Sequence, residues 1–205
     1  YQPNYSSVNE IVSQCASSIT CPLRFDETIN SLNIFRSYSE LFPYSYHYAV
    51  CSYDPLYPAL RSWAQFSVED LTKNVFRPDY ALLDCNPLKH KYWNCGFFYR
   101  GSVCPRDIGN AIKCIFHSRN IRFIDYNYVI KVGANYSHPA VIHDSAICIY
   151  PRTLCLAANT TAISDKVNQI IQKFDCLYDK KDHIHSYISE GMEELEFKKS
   201  RDDFY

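Results

Sequence analysis

Apolar residues recur at helical spacing in six stretches of the chain, and each stretch predicts a helix with one buried face. The first stretch, residues 8–18, follows an S-x-x-E capping box at Ser7, and Pro22 marks its predicted end. The other stretches are residues 27–41, 68–76, 105–117, 163–174 and 184–199. Several amphipathic helices are therefore expected.

Strict alternation of apolar and polar side chains predicts strands elsewhere. Tyrosines and Val50 occupy every second position of residues 44–50, and residues 121–132 alternate over a longer stretch. Residues 140–150 form a weaker strand candidate. The chain has only five glycines, which argues against a sandwich of many short strands with tight corners. The pattern predicts an α+β fold in which several helices pack on a small antiparallel sheet.

The density of charge changes near the C-terminus. No repeat or low-complexity linker separates the elements up to residue 178, whereas residues 179–205 are rich in charged side chains. We predict a single globular domain over residues 1–178, followed by a charged C-terminal helix or stalk over residues 179–205.

The cysteine content suggests where the protein is made. The ten cysteines are Cys15, Cys21, Cys51, Cys85, Cys95, Cys104, Cys114, Cys148, Cys155 and Cys176. An even number, scattered along the chain without a C-x-x-C pair, is typical of a disulfide framework. Five disulfides are expected, with Cys15–Cys21 and Cys148–Cys155 as the local pairs. This predicts a disulfide-stapled extracellular domain, either secreted after removal of a signal peptide or part of a surface protein.

Three N-x-S/T sequons are consistent with that compartment. Their acceptors are Asn4, Asn135 and Asn159, and all three fall in segments expected to be loops. The sequence therefore predicts a glycoprotein.

Charge and hydropathy argue against two classes of partner. The formal net charge is −1, and no basic face is visible, so no nucleic acid is expected to bind. No apolar run reaches the roughly 18–20 residues that span a bilayer, so no membrane insertion is expected within residues 1–205. An anchor beyond residue 205 is left open.

Contiguous catalytic and metal-binding motifs are missing, so neither a cofactor nor a metal is expected, and the sequence favours a protein that is not an enzyme. Two alternatives are kept. One is a secreted hydrolase whose site forms only in the fold, with His47, His143 and Asp144 as its first candidates. The other is a carrier of a small apolar ligand, lined by the apolar helix faces.

Aromatic side chains are the strongest candidates for binding. Tyr46 and Tyr48 lie in the first predicted strand, and Tyr92, Trp93, Tyr99 and Arg100 lie in a stretch expected to be irregular. Tyrosine, tryptophan and arginine are enriched at binding hot spots because they offer a large contact area and a polar tip. The predicted function is therefore extracellular recognition, in which these residues contact a receptor, another protein or a glycan at the cell surface.

Overall fold

The fold is described by a computed structural model that covers residues 4–25, 50–55, 66–118, 120–124, 129–137 and 150–203. The chain forms two units, which we call the sheet unit (Tyr1–Ala162) and the helical unit (Ile163–Tyr205). The boundary after residue 178 that the sequence suggests for its domains stays a prediction.

The sheet unit contains three described helices. They are α1 (Tyr5–Arg24), α2 (Val68–Asn74) and α3 (Pro105–His117). The S-x-x-D pattern at Ser67 predicts a capping box for α2, and the structure confirms it, because the Asp70 backbone N–H donates to the Ser67 hydroxyl at 3.1 Å. Helix α1 is longer than predicted and ends two residues beyond Pro22. The helix predicted at residues 27–41 lies outside the described residues.

Five strands within the described residues form one mixed sheet. They are β1 (Val50–Asp54), β2 (Lys91–Gly101), β3 (Arg122–Phe123), β4 (Val129–Asn135) and β5 (Arg152–Thr160). Strand β5 pairs antiparallel with β1 and β2, whereas β3 and β4 pair parallel with β2. The predicted antiparallel sheet is therefore wrong in part. Helix α3 carries the chain from β2 back to the same end of the sheet, so the next strands run parallel to β2.

The strand predictions had mixed outcomes. Residues 121–132 include β3 and the start of β4, although 125–128 lie outside the described part. Of residues 44–50, only Val50 is described, and β1 begins there. Of the weaker candidate at 140–150, only Tyr150 is described. Strands β2 and β5 were not predicted, because strands covered on both faces have no alternation of apolar and polar residues.

Two apolar clusters cover the two faces of the sheet. Successive residues of β2 point to opposite faces, so Phe97 and Phe98 belong to different clusters. On the first face, strand residues pack with the apolar sides of α2 and α3, including Leu71 and Ile115. On the second face, Phe98 packs with a group that includes Cys15 of α1. The sheet is thus the middle layer of three.

The helical unit contains three described helices. They are α4 (Ile163–Asp179), α5 (Ile184–Ser189) and α6 (Glu194–Asp202). The helix predicted at residues 184–199 is therefore interrupted. Gly191 lies between α5 and α6 with a φ of 99°, a conformation that glycine adopts without the strain that a Cβ would bring.

The predicted disulfide framework is wrong. None of the nine described cysteines forms a disulfide, and Cys148 lies outside the described residues. Cys15 and Cys21 both lie on α1, where six residues of helical rise separate their backbones by about 9 Å, too far for a disulfide. Apolar burial on both faces of the sheet, rather than cross-linking, therefore holds this unit together.

Candidate functional site

The residues predicted to bind a partner lie mostly inside the sheet unit. Tyr92, Tyr99 and Arg100 are only 2%, 1% and 4% exposed, and Trp93 is half-buried. Their segment is the long strand β2, not the irregular loop that was expected. These side chains therefore form no exposed aromatic patch. The other two candidates, Tyr46 and Tyr48, lie outside the described residues.

The buried tyrosines have structural partners. The ring of Tyr92 packs edge-on against Phe76 at 5.1 Å between centroids. The Tyr99 hydroxyl lies 2.8 Å from the Thr72 hydroxyl on α2. Burial raises the pKa of Tyr99 well above its usual range, so the phenol stays neutral. Both side chains connect β2 to its neighbouring helix layer.

The sequon asparagines are not all in loops. Asn135 is the last residue of β4, and only 1% of it is exposed. Its side-chain oxygen accepts a hydrogen bond from the Ser137 backbone N–H at 2.7 Å. Asn159 is half-buried in β5, and only Asn4, just before α1, is exposed. A buried asparagine within a sheet is no acceptor for a bulky glycan.

Three thiols converge between α1 and the sheet. Cys15, Cys51 and Cys155 belong to the apolar cluster on that face. Burial, with a smaller effect of Cys15, raises the pKa of Cys51 to about 11. Hydrogen bonding with Cys15, followed by burial, raises the pKa of Cys155 well above its ordinary value. The Cys51 and Cys155 thiols, which these effects hold neutral, behave as small apolar groups rather than nucleophiles.

The last residue of strand β1, Asp54, carries a buried carboxyl group. Asp54 has no exposed surface, and one of its oxygens accepts a hydrogen bond from the Asn74 amide at 3.0 Å. Its other oxygen has no hydrogen-bond partner among the described residues. Burial raises the pKa of Asp54 to about 6, against a smaller lowering effect of Asn74.

Neither a metal site nor the residues of the hydrolase hypothesis can be assigned within the described ranges. In the described ranges, no three His, Cys, Asp or Glu side chains are grouped so that they could hold a metal ion. The hydrolase candidates His47, His143 and Asp144 all lie outside those ranges. Among the described helices, none has both the length and the apolar character needed to cross a bilayer.

The helical unit, in contrast, exposes large apolar side chains. Ile170 and Leu195 are 66% and 73% exposed, and Leu177 and Ile188 are about half exposed. Ile170 belongs to the apolar stripe of residues 163–174, which predicts it on the buried side of α4. Adjacent apolar residues such as those at 170 and 171 are a normal part of the stripe of an amphipathic helix, so the sequence carried no signal that Ile170 is exposed.

A shallow groove lies between α4 and α6. Its volume is about 230 Å³, and Ile170, Phe174, Met192 and Phe197 line it. At its rim, the Arg201 guanidinium donates to both Asp175 carboxylate oxygens at 2.7 and 2.9 Å. These hydrogen bonds lower the pKa of Asp175, so the pair stays charged at neutral pH. We call this feature the α4–α6 groove.

Comparison with known proteins identifies the family. Residues 45–172 match the family described as the tubulin C-terminal domain. The chain is 37% identical over 205 residues to the tubulin alpha-1 chain of Arabidopsis thaliana, and 39% identical over 206 residues to the tubulin alpha-2 chain of Caenorhabditis elegans. A tubulin alpha-2B chain of Physarum polycephalum is 38% identical. Each alignment covers 98% of this chain but only 45–46% of the relative.

These matches overturn the predicted compartment and function. The relatives are chains of tubulin, a cytoplasmic protein of the cytoskeleton, so secretion, glycosylation, disulfides and a cell-surface partner were wrong predictions. The even cysteine count misled the prediction because several thiols, including Cys15 and Cys155, are packed in apolar clusters instead of being cross-linked. The matched segment contains all five strands of the described sheet. The chain belongs to the tubulin C-terminal domain family.

Proposed function

We propose that this chain is the assembly portion of an alpha-tubulin-like subunit, which provides protein–protein contacts in a cytoskeletal polymer. The single observation that carries the proposal is the family match, which spans the whole described sheet and the two helices α2 and α3. The mode of action is structural: a rigid three-layer unit presents surfaces to other subunits. That the chain is not an enzyme, and needs no cofactor, stays a prediction.

We propose a beta-tubulin subunit as the main partner and the cytoplasm as the location. Support comes from the relatives, which are alpha chains of tubulin at 37–39% identity. The chain spans about 45% of their length, so any activity of a whole tubulin subunit belongs to this proposal as well.

Co-expression with a tagged beta-tubulin tests the assignment. The expected result is recovery of the chain with beta-tubulin at near-equal stoichiometry, and its sedimentation with polymer. Leu156→Asp places a charge in the buried sheet and should abolish both, whereas Leu195→Ser, at an exposed position, should abolish neither. A chain that stays monomeric and soluble beside assembling tubulin would show that the proposal is wrong.

A second proposal concerns the helical unit. We propose that its exposed apolar side chains receive a microtubule-associated protein with basic residues around its contact. Residues 163–205 contain ten acidic and seven basic side chains, and they expose Ile170, Leu177 and Leu195. Ile170→Ser combined with Leu177→Ser should weaken that association while co-assembly with beta-tubulin is retained. Loss of both together would instead indicate that the helical unit takes part in assembly.

A further inference from the structure

Two guanidinium groups meet at one hydroxyl group in the sheet unit. Ser17 lies on α1, and its hydroxyl oxygen accepts a hydrogen bond from Arg24 at 2.8 Å and another from Arg100 at 3.0 Å. Arg24 belongs to the last turn of α1, whereas Arg100 comes from β2. Arg24 also donates to the Ser17 carbonyl at 2.8 Å, which fixes its head group at this place.

Within the part of the chain that the structure describes, this pair of cations has no counter-charge. Among the described residues, neither Arg24 nor Arg100 forms an ion pair, and the Nε of Arg100 has no hydrogen-bond partner. Arg100 is only 4% exposed. A guanidinium group stays protonated when it is buried, and a buried charge is costly unless it is paired. Arg24 also donates to the Thr20 hydroxyl at 3.2 Å, but all of these partners are neutral oxygens, which do not replace an anion between two cations.

We propose that Arg24, Arg100 and Ser17 form a binding site for a compact oxyanion of the phosphate or sulfate type. Guanidinium groups match the oxygen spacing of such anions and bind them through paired N–H donors. Arg24 is exposed and forms the open side of the site, while Arg100 forms the buried side. The two arginines occupy both lone pairs of the Ser17 hydroxyl, so its proton remains available to donate to the anion.

Thermal unfolding of the full chain with added phosphate tests the site. At constant ionic strength, replacing chloride by phosphate should raise the Tm saturably at low millimolar concentration. Arg24→Gln should remove the saturable rise. Arg77→Gln is the matched control, because Arg77 is an exposed arginine beside Asp79, and it should respond like the wild type. The absence of a saturable rise in the wild type, or an equal rise in Arg24→Gln, overturns the proposal.

A built-in anion provides a second test that does not depend on ligand affinity. Ser17→Asp places a carboxylate between the two arginines and should raise the Tm by about 2–4 °C while it removes the response to phosphate. Ser17→Asn introduces a side chain similar in size to aspartate but without its charge, and it should not raise the Tm. In the Arg24→Gln background, most of the gain from Ser17→Asp should disappear. If Ser17→Asp lowers the Tm as much as Ser17→Asn does, the site is not one for anions.

Discussion

The sheet unit and the helical unit use their apolar residues in opposite ways. In β2, all but two residues are buried, and helices cover both faces of the sheet. In the helical unit, only Ile171 and Ile184 are buried among the described residues, while Ile170 and Leu195 are mostly exposed. The first unit buries its apolar side chains in its own fold, whereas the second leaves several of them exposed, and these form the surface at which we propose a partner.

The same contrast applies to charged groups. Asp54 in the sheet unit is buried with one oxygen unpaired among the described residues, and its pKa is raised. Asp175 in the helical unit meets Arg201 at the surface, and its pKa is lowered. The stability of the two units should therefore depend on pH with opposite sign. Four substitutions, ordered by expected effect, test the contrast.

The largest effect is expected from Phe97→Ala. Phe97 is fully buried and packs between Phe76 and Tyr99 at centroid distances of 6.0 and 6.3 Å. Removing the ring should lower the free energy of unfolding by about 3–5 kcal/mol, as measured by urea denaturation. Phe174→Ala removes a half-buried ring from the helical unit and serves as the matched control. If both variants lost the same free energy of unfolding, the two units would not differ in how tightly their apolar side chains are packed.

The next effect concerns Asp54. Its folded pKa of about 6 lies above the ordinary value of 3.8, so the folded state holds the proton more tightly than the unfolded state. The contribution of Asp54 to stability is therefore fully present below about pH 4 and is lost as the pH rises through about 6. Asp54→Asn should remove this dependence and raise the free energy of unfolding at pH 7 by on the order of 2–3 kcal/mol.

Asp79→Asn is the control for that experiment, since Asp79 is an exposed carboxylate of the same unit. Its pH profile should follow that of the wild type. Urea denaturation at pH 4 and pH 7 gives both comparisons, and a loss of stability in Asp54→Asn at pH 7 would mean that the charged form of Asp54 is stabilised in the fold.

A smaller effect is expected from Cys95→Ser. Cys95 is fully buried within β2, where burial raises the pKa of its thiol above its usual range. A serine hydroxyl in the same place would be buried in an apolar cluster, which should lower the free energy of unfolding by about 1–3 kcal/mol. Cys176→Ser, at an exposed position within α4, should leave the urea midpoint unchanged. Equal stability of both variants would argue against the packing role of the buried thiols.

The smallest effect is expected from Asp175→Asn. The Asp175–Arg201 pair lies at the surface, where ion pairs contribute little and salt screens them. Because the pKa of Asp175 is lowered, its contribution is present above the ordinary pKa and is lost as the pH falls. The Tm of the wild type should therefore fall slightly as the pH becomes acid, and Asp175→Asn should make that fall smaller. A decrease that persists in the variant would have to come from another carboxyl group.

The helices were easier to predict from the sequence than the sheet. The capping box at Ser67 and the stripe after Pro105 produced α2 and α3 nearly as predicted, because helical periodicity survives whenever one face is exposed. Strands β2 and β5 lack that signal, since both of their faces are buried. The cysteine residues were misread because a buried thiol and a disulfide-bonded cysteine look alike in a sequence.

The candidate sites were harder still to predict. Tyr92, Tyr99 and Arg100 have the residue types of a binding patch, and only the pairing of β2 with β5 reveals that they are interior. The convergence of Arg24 and Arg100 on Ser17 joins positions far apart in the chain, which no local pattern encodes.

The central position of β2 has a consequence for synthesis of the chain. Both edges of β2 are paired, with β5 on one side and β3 and β4 on the other, yet β5 begins only at Arg152. A ribosome adds about 5–20 residues per second, so a finished β2 waits roughly 3–10 s for that partner. During this time β2 is prone to aggregation, because it has an unpaired edge and apolar residues on both faces. Nascent chains stalled before β5 should be recovered bound to chaperones, whereas chains stalled well after β5 should be released, so maturation of this protein depends on its order of translation.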